Sequence, residues 1–218
     1  MPTNCTGKSS LINSLMRKDL ARCSKHPGRT QQPYYYGFVP AYSGGAAKSK
    51  ARKSAGFFVD LPGYGYASAS PQAVESWQQH TQEYLISRRD AGSFQRLFLL
   101  IDARRGLSRD SSKVALDLSV MKWMDEESIP YTVVITKADC VIPAQVLKVA
   151  NEACMRYQQQ HQREQEYHEY LLENGEENDE VTIDGCMSPV IHITSAKKNE
   201  GMRELRSAIE TEFYTDNS

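Results

Sequence analysis

The chain has 218 residues, 40% of them hydrophobic and 24% charged; this is a globular composition that excludes a disordered tail and suits a single domain spanning residues 1–218. Lys+Arg number 26 against Asp+Glu 27, a net charge of −1, so bulk charge predicts no polyanion partner, and no apolar run approaches the roughly 18 residues of a membrane span. Cysteines at 5, 23, 140, 154 and 186 form no CxxC pair, which excludes zinc ribbons and disulfide scaffolds and predicts reduced thiols in an intracellular compartment.

Charge is balanced in total but not in place. Residues 1–56 hold ten Lys/Arg and one acid, Asp19, whereas residues 151–184 hold two Arg and ten acids. Such asymmetry suggests a phosphate- or nucleic-acid-facing side and a solvated acidic side.

In chain order, a helical pattern Ser9–Met16 follows a Gly-Lys pair, and the aromatic run Gln32–Val39 reads as a strand. Residues 41–55 are rich in Gly, Ala, Ser and Lys and read as a basic loop inserted between strands. The short apolar run Gly56–Asp60 ends in an acid. A helix Pro71–Arg88 opens on Ser70-Pro71, an N-cap followed by a proline at the first helical position. Continuous apolar runs at Arg96–Asp102, Tyr131–Thr136 and Val190–Thr194 suit parallel strands buried on both faces. Between and after them come helical patterns at Asp110–Asp125, from Pro143 onward, and at Gly201–Phe213. Residues 158–184 begin as a polar helix and decay into an acidic insertion. The alternation predicts an α/β fold, a mostly parallel open sheet with helices on both faces.

Four short segments carry chemistry. Thr6-Gly7-Lys8-Ser9-Ser10 opens a helix. Glycine lets backbone N–H groups close on a phosphate, Lys8 supplies charge, and Ser9 offers a hydroxyl to Mg²⁺. The helix N-terminus behind them adds its positive end. The full G-x-x-x-x-G-K-[ST] pattern is incomplete, because Pro2 stands where its first glycine belongs. Asp60-Leu61-Pro62-Gly63 places an acid at a strand's C-terminal end, where doubly wound sheets put ligand chemistry. Asp60 is expected to hold Mg²⁺ through water, and the Gly63 N–H to meet a γ-phosphate. In Thr136-Lys137-Ala138-Asp139, the Asp139 carboxylate accepts from both N1–H and the exocyclic amino group of guanine, a pair adenine lacks. The stem of Lys137 is expected to pack along the base. Thr194-Ser195-Ala196-Lys197 ends the last strand, where a backbone N–H reaches guanine O6. Taken singly each segment suits an ordinary loop; the four in this order do not.

That order resembles the translation-factor-type GTPases, and within them the EngB (YihA) ribosome-assembly GTPases. The likeness rests on Arg17-Lys18-Asp19-Leu20-Ala21-Arg22, Lys25-His26-Pro27-Gly28-Arg29-Thr30-Gln31, Asp60-Leu61-Pro62-Gly63-Tyr64-Gly65-Tyr66-Ala67, Asp102-Ala103-Arg104-Arg105-Gly106, Thr136-Lys137-Ala138-Asp139 and Lys197-Lys198. It implies a P-loop G domain that binds GTP or GDP with Mg²⁺. It further implies Asn4, Cys5 and Thr6 in the phosphate loop, Gly28, Arg29 and Thr30 around the γ-phosphate, and Thr30 as a second Mg²⁺ hydroxyl. By the same likeness the partner is the pre-ribosomal large subunit, with the basic 41–55 loop touching rRNA phosphates, and the protein is a monomer without membrane attachment. Its compartment would be the cytoplasm or an organelle matrix, mitochondrial or plastid.

Departures from the family shape the remaining expectations. Only six residues precede Gly7, so the first strand of the sheet is missing and the chain reads as N-terminally truncated. That strand belongs between Gly56–Asp60 and Arg96–Asp102, and its loss leaves backbone groups unmet at about 1–3 kcal/mol each. Cys5 stands where the family has the asparagine that helps hold a monovalent cation, which argues against K⁺ stimulation. Tyr64 stands where Ras-like enzymes carry the water-orienting glutamine, a feature the family shares, and no arginine finger is recognisable. Intrinsic hydrolysis is therefore expected to be slow, with an activating partner required and no catalytic base assigned. The rival reading is a nucleotide-independent RNA- or protein-binding remnant of a GTPase, motivated by the missing strand, Pro2 and Cys5.

Overall fold

The computed structural model of the chain describes residues 6–21, 32–38, 56–63, 71–107, 116–173 and 186–215. Its elements are α1 Lys8–Met16, β1 Tyr34–Phe38, β2 Gly56–Asp60, α2 Pro71–Asp90, β3 Leu97–Asp102, α3 Leu116–Glu126, β4 Tyr131–Thr136, α4 Pro143–Glu173, β5 His192–Ile193 and α5 Met202–Thr215. The α/β class expected from the sequence is the one observed. Two compact units divide the chain: Met1–Tyr84 with Thr194–Ser218, and Leu85–Ile193.

The second unit is built on a parallel sheet in the order β3-β4-β5. β4 is the central strand and all six of its residues are buried, which is why its sequence, YTVVIT, is a continuous apolar and β-branched run. It pairs with β3 from Leu97↔Tyr131 to Asp102↔Thr136. Leu99 and Ile101 of β3, Met121 and Met124 of α3, and Val149 and Ala153 of α4 are buried with it; each larger side chain contributes about 1.5–3 kcal/mol on leaving water. At the start of β4 the Tyr131 hydroxyl donates to Asp125 at 3.2 Å, and Arg156 donates to the other Asp125 oxygen at 3.0 Å. Burial, then the Asp125 charge, pushes the Tyr131 phenol far above its ordinary value.

β5 is shorter than the expected Val190–Thr194. Only His192 and Ile193 pair with Val134 and Ile135, while Met187 makes a separate parallel bridge to Tyr131. Pro189 has no N–H to give a ladder. As an edge strand, β5 also leaves Val190 and Ile193 exposed, so that run is not buried on both faces as the sequence suggested.

In the first unit β1 and β2 form an antiparallel ribbon, from Tyr34↔Asp60 to Phe38↔Gly56. Alternation divides its faces. On one face the Phe38 and Phe58 rings meet edge-on at 5.0 Å, and the Arg206 guanidinium of α5 lies 5.6 Å from the Phe38 ring centre. Arg206 also donates to the Leu15 carbonyl that ends α1, at 2.8 Å. Leu11, Ile12 and Leu15 of α1 and Met202, Leu205 and Ile209 of α5 are buried. On the other face Tyr35 and Phe57 meet at 6.2 Å and stay exposed.

The two strand sets form separate sheets. Among the described residues no strand pairs with both β2 and β3, the position the sequence reading gives to the missing strand. The acidic insertion begins, as expected, as a helix, since α4 runs to Glu173. The rest of it, the basic 41–55 loop and the expected helix start at Asp110 lie outside the described residues. No helix among the described residues is long and apolar enough to cross a membrane.

Candidate functional site

The first unit carries the phosphate-type residues. α1 begins at Lys8 because Gly7 turns the chain with φ 92° and ψ 17°, a left-handed conformation that a side chain would strain. No acid occupies the first turn of α1, so its positive N-terminal end is not neutralised from within the helix. Thr6, Ser9 and Ser10 flank Lys8 on this turn. The Lys8 ammonium is 4.0 Å from the carboxylate of Asp60, which is buried at the end of β2. Burial, then the Asp60 charge, pushes the Tyr36 phenol of β1 upward. A Cβ at position 63 would lie 3.3 Å from the Lys8 nitrogen, so glycine there leaves the ammonium its place. Lys8, Asp60 and Gly63 are therefore brought together. Asn4, Cys5, Gly28, Arg29, Thr30 and Tyr64 lie outside the described residues.

Thr194 and Ser195 are in the same unit, both buried. The Ser195 N–H donates to the Glu200 carbonyl at 2.9 Å and the Glu200 N–H returns to Ser195 at 3.1 Å. The Ser195 hydroxyl accepts from the Lys198 N–H at 3.1 Å. These bonds close a turn through Ala196 into α5.

The base-type residues Thr136–Asp139 are in the second unit. Thr136 is buried and its hydroxyl donates to the Ile101 carbonyl at 3.3 Å. Lys137 then turns left-handed, φ 57° and ψ 36°, into a single 3₁₀ turn Ala138–Cys140. That reversal lifts Asp139 out of the strand end to a half-exposed position, where the Cys140 thiol makes a long 3.7 Å contact with its carboxylate.

The sequence reading lays Lys137 along a base but gives its charged end no partner. In the structure the ammonium donates to Asp102, at the end of β3, at 3.0 Å. Asp102 also takes Arg104 Nε at 2.9 Å, the second guanidinium nitrogen at 2.5 Å and the Arg104 backbone N–H at 3.1 Å. Burial pushes the Asp102 carboxyl up, but the hydrogen bonds from Arg104 and Lys137 outweigh it and hold it below its ordinary value. Sequence reasoning missed Asp102 as a site residue. The signal was available, because it is an acid ending a buried apolar strand, as Asp60 is.

A parallel sheet flanked by helices, with a glycine–lysine helix start and a T-K-A-D turn at a strand end, defines the P-loop GTPase class. Solved structures share the fold. A crystal structure of a probable GTP-binding protein EngB superposes with TM-score 0.57 at 20% identity, covering 96% of this chain and 94% of that one. Era in complex with MgGDPNP and nucleotides 1506–1542 of 16S ribosomal RNA gives 0.60 at 19%, covering 94% and 52%. Residues 3–137 match the family model described as 50S ribosome-binding GTPase. The probable GTP-binding protein EngB of Chelativorans sp. (strain BNC1) is 36% identical over 205 residues, 93% of this chain and 74% of that protein. Its counterpart in Sinorhizobium medicae (strain WSM419) is 34% identical over 206 residues, 94% and 77%. The chain belongs to the EngB family of GTPases.

Proposed function

We propose that the protein binds GTP and GDP with Mg²⁺ and acts as a slow GTPase switch in assembly of the large ribosomal subunit. The observation that carries the nucleotide part is the left-handed Gly7 opening α1, with Lys8 4.0 Å from the buried Asp60. In this reading the α1 N-terminus and Lys8 take the β- and γ-phosphates, and the Gly63 N–H meets the γ-phosphate. Asn4, Cys5, Thr6 and Ser10 line the phosphate loop, and Gly28 and Arg29 flank Thr30. The Ser9 hydroxyl and the Asp60 carboxylate, with Thr30, form a hard oxygen donor set of the kind Mg²⁺ takes; the ion would neutralise phosphate charge there.

Asp139 selects guanine. Lys137 covers the base with its stem, between Thr136 and Ala138. The Ser195 N–H is engaged with Glu200, so the N–H that meets guanine O6 is sought in the rest of Thr194–Ala196. Tyr64 cannot orient water as a glutamine does, which makes turnover depend on a partner.

The ribosomal part is supported by the family description, 50S ribosome-binding GTPase, and by the four cations Lys48, Lys50, Arg52 and Lys53 in a segment without acids, suited to rRNA phosphates. Co-sedimentation with large-subunit precursor particles tests it. Retention with a non-hydrolysable GTP analogue and release with GDP is the expected result. Equal retention with and without nucleotide would overturn the switch.

A further inference from the structure

We infer that Asp102 is a positioning residue for guanine recognition: it fixes the Lys137 ammonium so that the side chain's apolar stem is presented to the base. The inference rests on the guanine-binding reading of Thr136–Asp139 and adds to it a residue outside that segment.

The β3–β4 register sets Asp102 directly beside Thr136, one residue before Lys137. The left-handed backbone of Lys137 sends its side chain back to the neighbouring strand end, where the ammonium meets Asp102 at 3.0 Å. Asp102 is 3% exposed. A carboxylate so deeply buried needs compensation, and a single cation would leave oxygen lone pairs unmet. Arg104 supplies the remainder through a two-pronged guanidinium contact and its backbone N–H. The guanidinium fork holds the carboxylate in one orientation. The carboxylate in turn holds the lysine ammonium at 3.0 Å, which costs the long side chain rotamer freedom.

The Asp102 loop is itself fixed. The Arg105 and Gly106 N–H groups both donate to the Asp102 carbonyl, at 2.9 and 3.0 Å, and the Ala103 N–H donates to the Thr136 carbonyl at 2.9 Å. The carboxylate is therefore a rigid post for the lysine ammonium. The division of labour is that Asp139 supplies base specificity through hydrogen bonds, while Asp102 keeps one wall of the base site in place without touching the base.

Fluorescent-GDP titration of the full chain tests the inference, with inorganic pyrophosphate as a competitor that reports the phosphate contacts alone. Asp102→Asn keeps shape but removes the charge. Its GDP affinity is expected to fall by about tenfold, of the order of one charge-assisted hydrogen bond, with pyrophosphate competition unchanged. Lys137→Met keeps the stem and leaves Asp102 on Arg104, so it serves even where Asp102→Asn does not fold. It should show a similar loss confined to GDP. The double variant should lose no more than the larger single one. Additive losses, or equal losses for GDP and pyrophosphate, would overturn the positioning role. So would wild-type GDP affinity in Lys137→Met. Absence of GDP binding by the wild-type chain would instead overturn the nucleotide reading, and this inference with it.

Discussion

The phosphate-type and base-type residues solve the problem of holding charge in different ways. In the first unit the elements are backbone: a left-handed glycine, a helix N-terminus and a second glycine beside Lys8. The Lys8–Asp60 ion pair is long, 4.0 Å, and the Lys8 side chain is 30% exposed. In the second unit one buried carboxylate is gripped by two cations at 2.5–3.0 Å. A lysine in a long ion pair suits a ligand that brings several charges of its own. A tethered lysine suits a neutral aromatic base, toward which a free ammonium would gain little. Under the proposed function, the same residue type serves charge in one place and surface in the other.

Breaking each half should therefore fail differently. The largest effect is expected for Asp139→Asn, which removes the carboxylate proposed to read two guanine donors. A site built on such bonds rejects the mismatched ligand by about 10⁴-fold. GDP affinity should fall by that order while xanthosine diphosphate, measured by competition, gains. Lys8→Ala should weaken GDP and GTP by about 100-fold or more, since it deletes the charge proposed to meet several phosphate oxygens. Unlike Asp139→Asn it should weaken pyrophosphate competition equally, which separates the two halves in one assay.

Stability should follow the same division. Leu99→Ala, at 1% exposure in β3, should cost about 2–5 kcal/mol in urea unfolding. Phe57→Ala on the exposed ribbon face, at 63% exposure, should stay within about 0.5 kcal/mol.

The smallest effect is in pH dependence. The folded Asp102 carboxyl sits below its unfolded value, so its contribution is fully present above the unfolded pKa of about 3.9. That contribution is lost as pH falls through the lower folded value. The acid-side fall in Tm should therefore be less steep for Asp102→Asn than for the wild type. Equal slopes would show that the grip on Asp102 adds nothing to folding.

Much of this was legible in the sequence because periodicity and strand-end chemistry are local. The run YTVVIT suits a strand buried on both faces, and all six of its residues are buried. Gly-Lys-Ser before an apolar helical pattern located α1, and acids ending apolar runs located Asp60. What escaped depends on register. Nothing in residues 96–107 alone says that Asp102 meets Lys137, thirty-five positions later; that pairing exists because parallel strands β3 and β4 align Asp102 with Thr136. The shortness of β5 escaped for a related reason. An edge position cannot be read from Val190–Thr194 itself, although Pro189 was a usable warning.

The central claim is that the chain takes a guanine nucleotide, and one titration tests it most directly. The 218-residue chain is titrated with a fluorescent GDP analogue in Mg²⁺ buffer, and the complex is challenged with GTP and with ATP. Tight binding displaced by GTP and untouched by ATP is the predicted result. Absence of binding at millimolar nucleotide, or displacement by ATP as readily as by GTP, would contradict the account. Absence of binding would leave the nucleotide-independent RNA- or protein-binding scaffold as the better reading of this chain.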